Sequence, residues 1–380
     1  MKKQLLSLLL LASLTIPPMA FAQLNIPSDG SDGVFAPLTN VVIDLSQAVT
    51  GPWNTNNTAN AGRGVYDSDK WAIVFKFQSV SVPTNVTVTF LNHPYRAPVV
   101  WLVQSNVVIN GTVSLDADNG DSDASQSNIN KQGGPGGFRG GLGLTTKNGL
   151  GPSEGYYYTT YGNAQNLPLI GGAGWWTSNG NDYPPLRRAG GGGAILIASR
   201  NNIIINGKAS ATGGDNFFGH TGFGGAIRLI SQDLSGGGIF DVSNGGRLRL
   251  EAFTQHFTNP NFADTFPINP GTTPVIWPAQ DAPKATIISV NGQSLPAQPL
   301  AALNGTTDLT IATNQAVAVL IQTQNFPIQG TVSLRVIPKY SNAFWVNASY
   351  VSGSFTQALW SASANFPSAY STMIVRAAAP

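Results

Sequence analysis

The sequence predicts an all-β protein that consists of a parallel, right-handed β-helix followed by a C-terminal immunoglobulin-like β-sandwich. Two observations favour the β-helix: a repeat along the chain, and strand patterns that are bounded by glycine. A third observation favours the sandwich, because after residue 283 glycine becomes rare and short strand-like runs follow one another. No amphipathic pattern is long enough to predict more than two turns of helix.

The repeat occurs in three copies. Each copy consists of an apolar strand, a polar corner, a second apolar strand, a glycine corner and an alternating strand. Ala194 and Ala226 stand at equivalent positions and are 32 residues apart. Such a period is typical of solenoids, and short strands with glycine corners favour a parallel β-helix over helical repeats. The copies are Val99–Gly120, Ala194–Gly214 and Ala226–Gly246.

Aligning the copies on Gly111, Gly207 and Gly238 predicts which side chains share a row. Inward rows bury apolar area, and outward residues alternate with them. At the corners we expect glycine because it allows a positive φ and a close approach of neighbouring strands. The predicted rows are Val113, Ala209 and Phe240, then Leu115, Ala211 and Val242, with Ser114, Ser210 and Asp241 pointing outward between them.

Residues 1–22 have the features of a secretory signal peptide. Lys2 and Lys3 precede an apolar run, Leu5–Ile16, and Ala20-Phe21-Ala22 forms an A-x-A cleavage site. The apolar run is shorter than the roughly 20 residues that span a bilayer. We therefore expect a secreted or cell-surface protein, with the periplasm as an alternative, and no transmembrane segment after cleavage.

The charge balance argues against a nucleic-acid partner. The chain has 20 basic and 18 acidic residues, and removing Lys2 and Lys3 with the leader leaves 18 of each. A neutral chain without a basic block lacks the electrostatic footprint of nucleic-acid binding. The absence of cysteine excludes disulfides, a thiolate nucleophile, cysteine-based zinc sites and a lipid anchor on an N-terminal cysteine.

The mature chain divides into three predicted parts. The β-helix covers residues 23–258 and carries a long loop insertion at about 121–189. A linker rich in Pro, Asn and Thr covers 259–283, and the β-sandwich covers 284–380. The strands predicted in the sandwich are Thr286–Val290, Thr307–Ile311, Ala316–Thr323, Thr331–Ile337, Phe344–Val351 and Met373–Arg376.

Several segments resemble an uncharacterised family of secreted, glycine-rich bacterial proteins. The resemblance implies an exported parallel β-helix, often followed by a sandwich module, and it implies no activity. The chain departs from the family pattern at Trp175–Arg188, where similar proteins run through nearly pure glycine. The matching segments are DGVFAP (Asp32–Pro37), KWAIVFKFQSVSVP (Lys70–Pro83), NHPYRAPVVWLV (Asn92–Val103), GGPGGFRGG (Gly133–Gly141), YGNAQNLPLIGG (Tyr161–Gly172), GGGGAILIAS (Gly190–Ser199) and GGAIRLIS (Gly224–Ser231).

An acidic turn after the first copy is a candidate calcium site. Its carboxylates alternate around a glycine, and Ca²⁺ prefers six to eight oxygen ligands. The spacing is not that of an EF-hand, and a solvated acidic turn explains the pattern equally well. The candidate ligands are Asp116, Asp118, Asp121 and Asp123.

The loop insertion is a candidate glycan site because it is rich in aromatic residues. Exposed aromatic rings stack on sugar faces, and arginine side chains bind hydroxyls or acidic groups. The alternative is that these residues cover the flank of the β-helix. The candidate residues are Tyr156, Tyr158, Tyr161, Trp175, Trp176, Tyr183, Arg187 and Arg188.

No catalytic residues are predicted. Glycosidases need a pair of carboxylates, and the chain has two glutamates, Glu154 and Glu251, with no carboxylate cluster in the outward rows. Arg247, Arg249 and Glu251 are interpreted as a charged outer face. We therefore favour a non-enzymatic structural or adhesive protein, with polysaccharide or other cell-surface components as partners. The alternative is a β-helix that binds or cleaves polysaccharide.

Overall fold

The structure is a computed structural model. It describes residues 24–54, 61–118, 132–140, 168–174, 189–215, 221–258, 261–263, 275–296, 307–313, 315–338, 343–367 and 371–380. These ranges are almost entirely β-structure, and their one helical element is a 3₁₀ turn at Leu45–Gln47. No helix in them is long and apolar enough to cross a membrane. The predicted signal peptide lies outside the described residues.

The strands form three sheets. The parallel region contains β1 Gly33–Phe35, β2 Val41–Asp44, β3 Val49–Thr50, β4 Val65–Asp67, β5 Ala72–Val82, β6 Thr87–Leu91, β7 Val99–Val103, β8 Val107–Ile109, β9 Thr112–Ser114, β10 Ala194–Ser199, β11 Asn202–Ile205, β12 Lys208–Ser210, β13 Ala226–Gly236, β14 Ile239–Asp241, β15 Arg247–Phe257 and β16 Asn261–Ala263. The C-terminal sheet contains β17 Lys284–Val290, β18 Gln293–Ser294, β19 Val317–Gln324, β20 Thr331–Pro338, β21 Phe344–Gly353, β22 Gln357–Ala364 and β23 Ser371–Ala378.

The parallel region consists of a ten-stranded and a six-stranded sheet. In the larger sheet β5, β7, β10, β13 and β15 are neighbours in chain order and run parallel. In the smaller sheet β2, β6, β9, β12, β14 and β16 follow the same rule. The chain therefore returns to the same side after each copy and adds the next strand beside the previous one.

The register confirms the predicted alignment of the three copies. Ala209 lies opposite Val113 on one side and Phe240 on the other, and all three are buried. The second predicted row, Leu115, Ala211 and Val242, is also buried. Two further copies, β5–β6 and β15–β16, flank the predicted ones. The first of them was not predicted, because Pro83, not glycine, stands near its corner.

The corner glycines are required for one of the two predicted reasons. Gly111, Gly207 and Gly238 do not adopt positive φ, so the prediction of left-handed corners is wrong. The predicted close approach of the strands is confirmed, because a Cβ at Gly207 would overlap the carbonyl oxygen of Gly111, and a Cβ at Gly238 would overlap that of Gly207. The glycines remain because a backbone atom of the next copy occupies the place of a side chain.

Extended glycine segments pack against one another beside the sheets. We call residues 132–140, 168–174, 189–193, 211–215 and 221–225 the glycine cluster. Each segment hydrogen-bonds to more than one neighbour: Gly172 N–H donates to the Gly192 carbonyl at 2.7 Å, and Gly192 N–H donates to the Phe223 carbonyl at 2.9 Å. Cβ atoms at Gly191 and Gly225 would overlap neighbouring backbone. Parts of the predicted loop insertion thus pack as backbone against backbone.

Both faces of the larger sheet are buried at its central strands, β7 and β10. One face points into the main core with Trp101 and Ile197, and the other carries Val100 and Leu196. The second face is covered by segments from distant parts of the chain. Burial on both sides explains why these strands are continuously apolar rather than alternating. The covering residues include Leu24, Ile26, Trp53, Leu169, Ile276 and Trp277, so part of the predicted linker packs on the sheet.

The C-terminal residues form one antiparallel sheet of seven strands around a single core. Its order is β18-β17-β19-β22-β21-β20-β23. Alternate residues of β19, β20 and β22 point inward, as the burial of Val319, Leu334 and Trp360 shows. β21 pairs with β22 near one end and with β20 near the other, and its register shifts between Tyr350 and Ser352. The two halves of this sandwich-like sheet are therefore continuous through β21.

Five of the six strands predicted for this part are confirmed as β17, β19, β20, β21 and β23. The predicted strand at Thr307–Ile311 is wrong, since these residues form no strand, although Leu309 and Ile311 pack on the core. β22 was missed. Its inward residues, apart from Trp360, are alanines, which carry little strand signal in a sequence.

Candidate functional site

The predicted glycan site lies outside the described residues. These are Tyr156, Tyr158, Tyr161, Trp175, Trp176, Tyr183, Arg187 and Arg188, and their role stays a prediction. The structure does describe the two residues that flank the Trp175–Arg188 stretch. Gly174 and Ala189 lie buried in the glycine cluster, where Gly174 packs on the backbone of Arg139.

Two of the four predicted calcium ligands lie among the described residues. Asp121 and Asp123 lie outside the described residues, whereas Asp116 and Asp118 are described. Across the described residues, no group of three or more His, Asp or Glu side chains is placed to hold a metal ion. Calcium binding by the whole turn stays a prediction.

The Asp116 carboxylate connects two adjacent copies of the repeat. Its Oδ2 atom accepts hydrogen bonds from the hydroxyls of Ser114, at 2.8 Å, and Ser210, at 2.9 Å. Its Oδ1 atom accepts from the backbone N–H of Thr212 at 2.7 Å. Three donors from the protein thus satisfy a carboxylate that the sequence suggested as a metal ligand. Of the predicted outward row, Ser114 and Asp241 are half-buried and Ser210 is fully buried.

Asp118 lies at the edge of the glycine cluster and interacts electrostatically with the buried guanidinium of Arg96, which also interacts with Arg139. Arg96 and Arg139 are 9% and 5% exposed. Burial lowers the pKa of Arg96, the charge of Arg139 lowers it further, and the charge of Asp118 opposes both. Neither arginine was predicted as a site residue. The signal in the sequence was an arginine within the glycine-rich segment Gly133–Gly141.

His93 has a structural environment. Its ring lies 4.4 Å from that of Tyr66, and its Nδ1 atom accepts a hydrogen bond from the Tyr95 N–H at 3.2 Å. Burial lowers the pKa of His93, which favours the neutral ring that can accept this bond. His256 is exposed and pairs with Asp233 at 2.9 Å.

A buried charge cluster corrects the interpretation of Arg249 and Glu251 as part of a charged outer face. Both residues are buried, as is Arg228 on the neighbouring strand. The Nε atoms of Arg228 and Arg249 both contact Oε1 of Glu251, the first at 2.7 Å. Arg228 also donates to the carbonyls of Val275, at 2.5 Å, and Ile276, at 3.1 Å. The cluster holds the chain that follows the parallel region against the outer face of the larger sheet.

An exposed aromatic face on the C-terminal sheet was not predicted. Trp345 of β21 is 48% exposed and lies opposite Arg335 of β20, whose guanidinium carbon is 5.7 Å from the indole ring centre. In the next row Asn347 lies opposite Ser333, whose hydroxyl donates to Asn347 Oδ1 at 3.0 Å. The signal in the sequence was a tryptophan at an outward position of an alternating strand.

Comparison with known proteins yields no relative. No protein-family model, curated protein or solved structure matches the chain.

Proposed function

We propose that this protein is an exported structural or adhesive protein of the cell surface or the extracellular space. The observation that carries the proposal is the continuous ladder of parallel strands from β5 to β15, with glycine backbone packed on glycine backbone beside it. A ladder of this kind makes a stiff support, because every strand is hydrogen-bonded to the copies before and after it. A stiff support that carries a second module suits a protein that presents a surface away from its anchoring point.

We also propose a specific fold for each of the two regions. We assign the parallel region to a right-handed parallel β-helix, which the chain-order pairing of both sheets supports. We assign the C-terminal sheet to an immunoglobulin-like sandwich. Its order β17-β19-β22-β21 corresponds to the A-B-E-D sheet of that fold, and β20 beside β23 corresponds to strands C and F.

Export and composition support the extracellular assignment. The leader has the three parts of a signal peptide, and the chain folds without cysteine. Only 10% of its residues are charged, far below the roughly 25% of an average globular domain. The outward positions of the C-terminal sheet use Ser, Thr and Asn instead, as in Ser333 and Asn347.

The proposal is tested on intact cells that express the full chain. We expect added protease to degrade the protein while a periplasmic marker enzyme stays intact, and we expect purified residues 23–380 to be retained by cells that lack the gene. Protection until the cell envelope is permeabilised, or no retention, contradicts a surface role. Release of reducing ends from a polysaccharide panel by the purified protein contradicts the non-enzymatic assignment.

A further inference from the structure

The outer face of the C-terminal sheet combines an exposed indole with arginines on adjacent strands. β20 lies between β21 and β23, so one row across the sheet contains Trp345, Arg335 and Ile374. The next row contains Asn347, Ser333 and Arg376. Residues directly opposite each other in antiparallel strands share a face. The two rows therefore form one surface three strands wide.

The inner neighbours fix the orientation of this surface. Val332, Leu334 and Val336 of β20 are buried in the core of the module, so Ser333 and Arg335 between them point outward. Because this surface is built on paired strands rather than on a loop, its side chains keep their spacing without a ligand.

The net charge of the C-terminal module indicates the sign of the charge on its ligand. Residues 284–380 contain four basic residues, Lys284, Arg335, Lys339 and Arg376, against one acidic residue, Asp308. Two of the four, Arg335 and Arg376, lie on the outer face, and Arg376 is exposed. In a mature chain with as many acidic as basic residues, this concentration of positive charge in one module favours an anionic ligand.

The chemistry of the side chains on this face indicates the chemical class of the ligand. An exposed indole offers a flat apolar surface for the C–H face of a sugar ring, and a guanidinium that lies against the indole offers paired N–H donors to a carboxylate. Asn347 and Ser333 add short polar groups in the next row for hydroxyls. A flat aromatic and cationic surface matches a chain of acidic sugars.

We propose that this face, made of Trp345, Arg335, Asn347 and Arg376, binds an acidic polysaccharide. Trp345 stacks on a sugar ring, Arg335 and Arg376 bind carboxylates of the chain, and Asn347 contacts hydroxyls. The inference rests on the proposed surface role and deepens it, because it gives the module a ligand class and places the binding site outside the loop insertion.

The test is affinity electrophoresis of residues 23–380 through gels containing polygalacturonate, with neutral dextran gels as reference. We expect retardation in polygalacturonate only, and an apparent Kd at least tenfold higher for Trp345→Ala. Arg376→Gln should weaken binding at low salt and reduce its salt dependence. Phe355→Ala is the matched control, since this aromatic of the same module is 59% exposed and lies in the turn between β21 and β22, outside the two rows; it should bind as the parent does.

Three results would overturn the proposal: no retardation in polygalacturonate, equal retardation in dextran, or a loss in Phe355→Ala as large as in Trp345→Ala. Near-ultraviolet circular dichroism of each variant establishes that the module is folded. The cell-retention assay separates this inference from the surface role. Retention on cells without polygalacturonate binding refutes the glycan face alone, and polygalacturonate binding without retention supports the face and refutes the surface role.

Discussion

The parallel region and the C-terminal sheet stabilise β-strands in different ways. In the parallel region both faces of the larger sheet are buried at its central strands, corners pack backbone on backbone, and a charge cluster lies beneath a covering segment. The C-terminal sheet buries one face in a single core and leaves polar and aromatic side chains on the other. The first arrangement gives little freedom for substitution, and the second leaves one face open for binding.

Substitution in the buried charge cluster is expected to give the largest difference in stability loss between the two regions. Glu251→Gln leaves Arg228 and Arg249 buried without their carboxylate, and removal of one partner from a buried ion pair costs about 3–5 kcal/mol of unfolding free energy. Arg335→Gln, at a half-buried position on the open face of the C-terminal sheet, should cost less than about 1 kcal/mol. Urea denaturation followed by circular dichroism measures both. Equal losses would show that the cluster is not stabilising its region.

The corner glycines give the next largest effect. Gly207→Ala forces a Cβ into the Gly111 carbonyl, and overpacking against a rigid neighbour costs about 3 kcal/mol. Gly292→Ala is the control from the C-terminal sheet. Gly292 has φ +76° and no atom within 4 Å of the added Cβ, so only the left-handed backbone opposes the change, at about 1 kcal/mol. If thermal denaturation finds the two variants equally stable, backbone packing does not decide the corners.

Each region contains a buried tryptophan, Trp101 or Trp360, and the two differ in their hydrogen bonding. Trp360 donates from Nε1 to the hydroxyl of Thr323 at 2.9 Å, whereas Nε1 of Trp101 is buried with no hydrogen-bond partner among the described residues. Both Phe variants lose ring volume, but Trp360→Phe also leaves a buried hydroxyl unpaired. We expect Trp360→Phe to lose about 1 kcal/mol more unfolding free energy than Trp101→Phe. A larger loss in Trp101→Phe would indicate that its indole N–H has a partner.

The smallest predicted effect depends on pH. Burial by itself raises the pKa of Asp241, but hydrogen bonds from Ser243 and Lys208 and the charge of Lys208 hold it below its ordinary value of 3.8. Because the folded pKa is the lower one, the carboxylate stabilises the fold above pH 4 or so, and this contribution is lost as the pH falls through the folded pKa.

Asp241→Asn should therefore lower stability by less than about 1 kcal/mol at pH 7 and make it less sensitive to acid below about pH 4. Ser333→Ala in the C-terminal sheet removes a hydrogen bond between uncharged groups, so its effect should be the same at every pH. Melting temperatures between pH 7 and pH 3 test both expectations. A parallel acid response of Asp241→Asn and the parent protein would contradict the role of this carboxylate.

The sequence predicted the repeat and much of the strand content for identifiable reasons. Row members such as Val113, Ala209 and Phe240 recur at fixed offsets from a corner glycine, and the register follows from that recurrence. Predictions from the sequence were wrong where the deciding contact is distant. Arg249 and Glu251 alternate as an exposed strand would, but Glu251 is buried against Arg228, whose guanidinium donates to the carbonyls of Val275 and Ile276.

The candidate sites also depend on contacts between distant residues that the sequence does not reveal. An acidic spacing suggested Asp116 as a metal ligand, but two of its three donors come from Ser210 and Thr212, 94 and 96 residues away. The outward position of Trp345 could be predicted from its strand, but its grouping with Arg335 and Arg376 could not, because these residues lie on two other strands. Pairing of strands distant in the chain brought these groups together.

By itself the sequence determined an all-β chain with a repeat and a glycine requirement at the corners, because the spacing of apolar residues and glycines is a local property. Only the tertiary structure decided which faces are covered, why the corner glycines cannot be replaced, and which side chains share an exposed surface. These properties depend on contacts between segments far apart in the chain, and no local pattern records them.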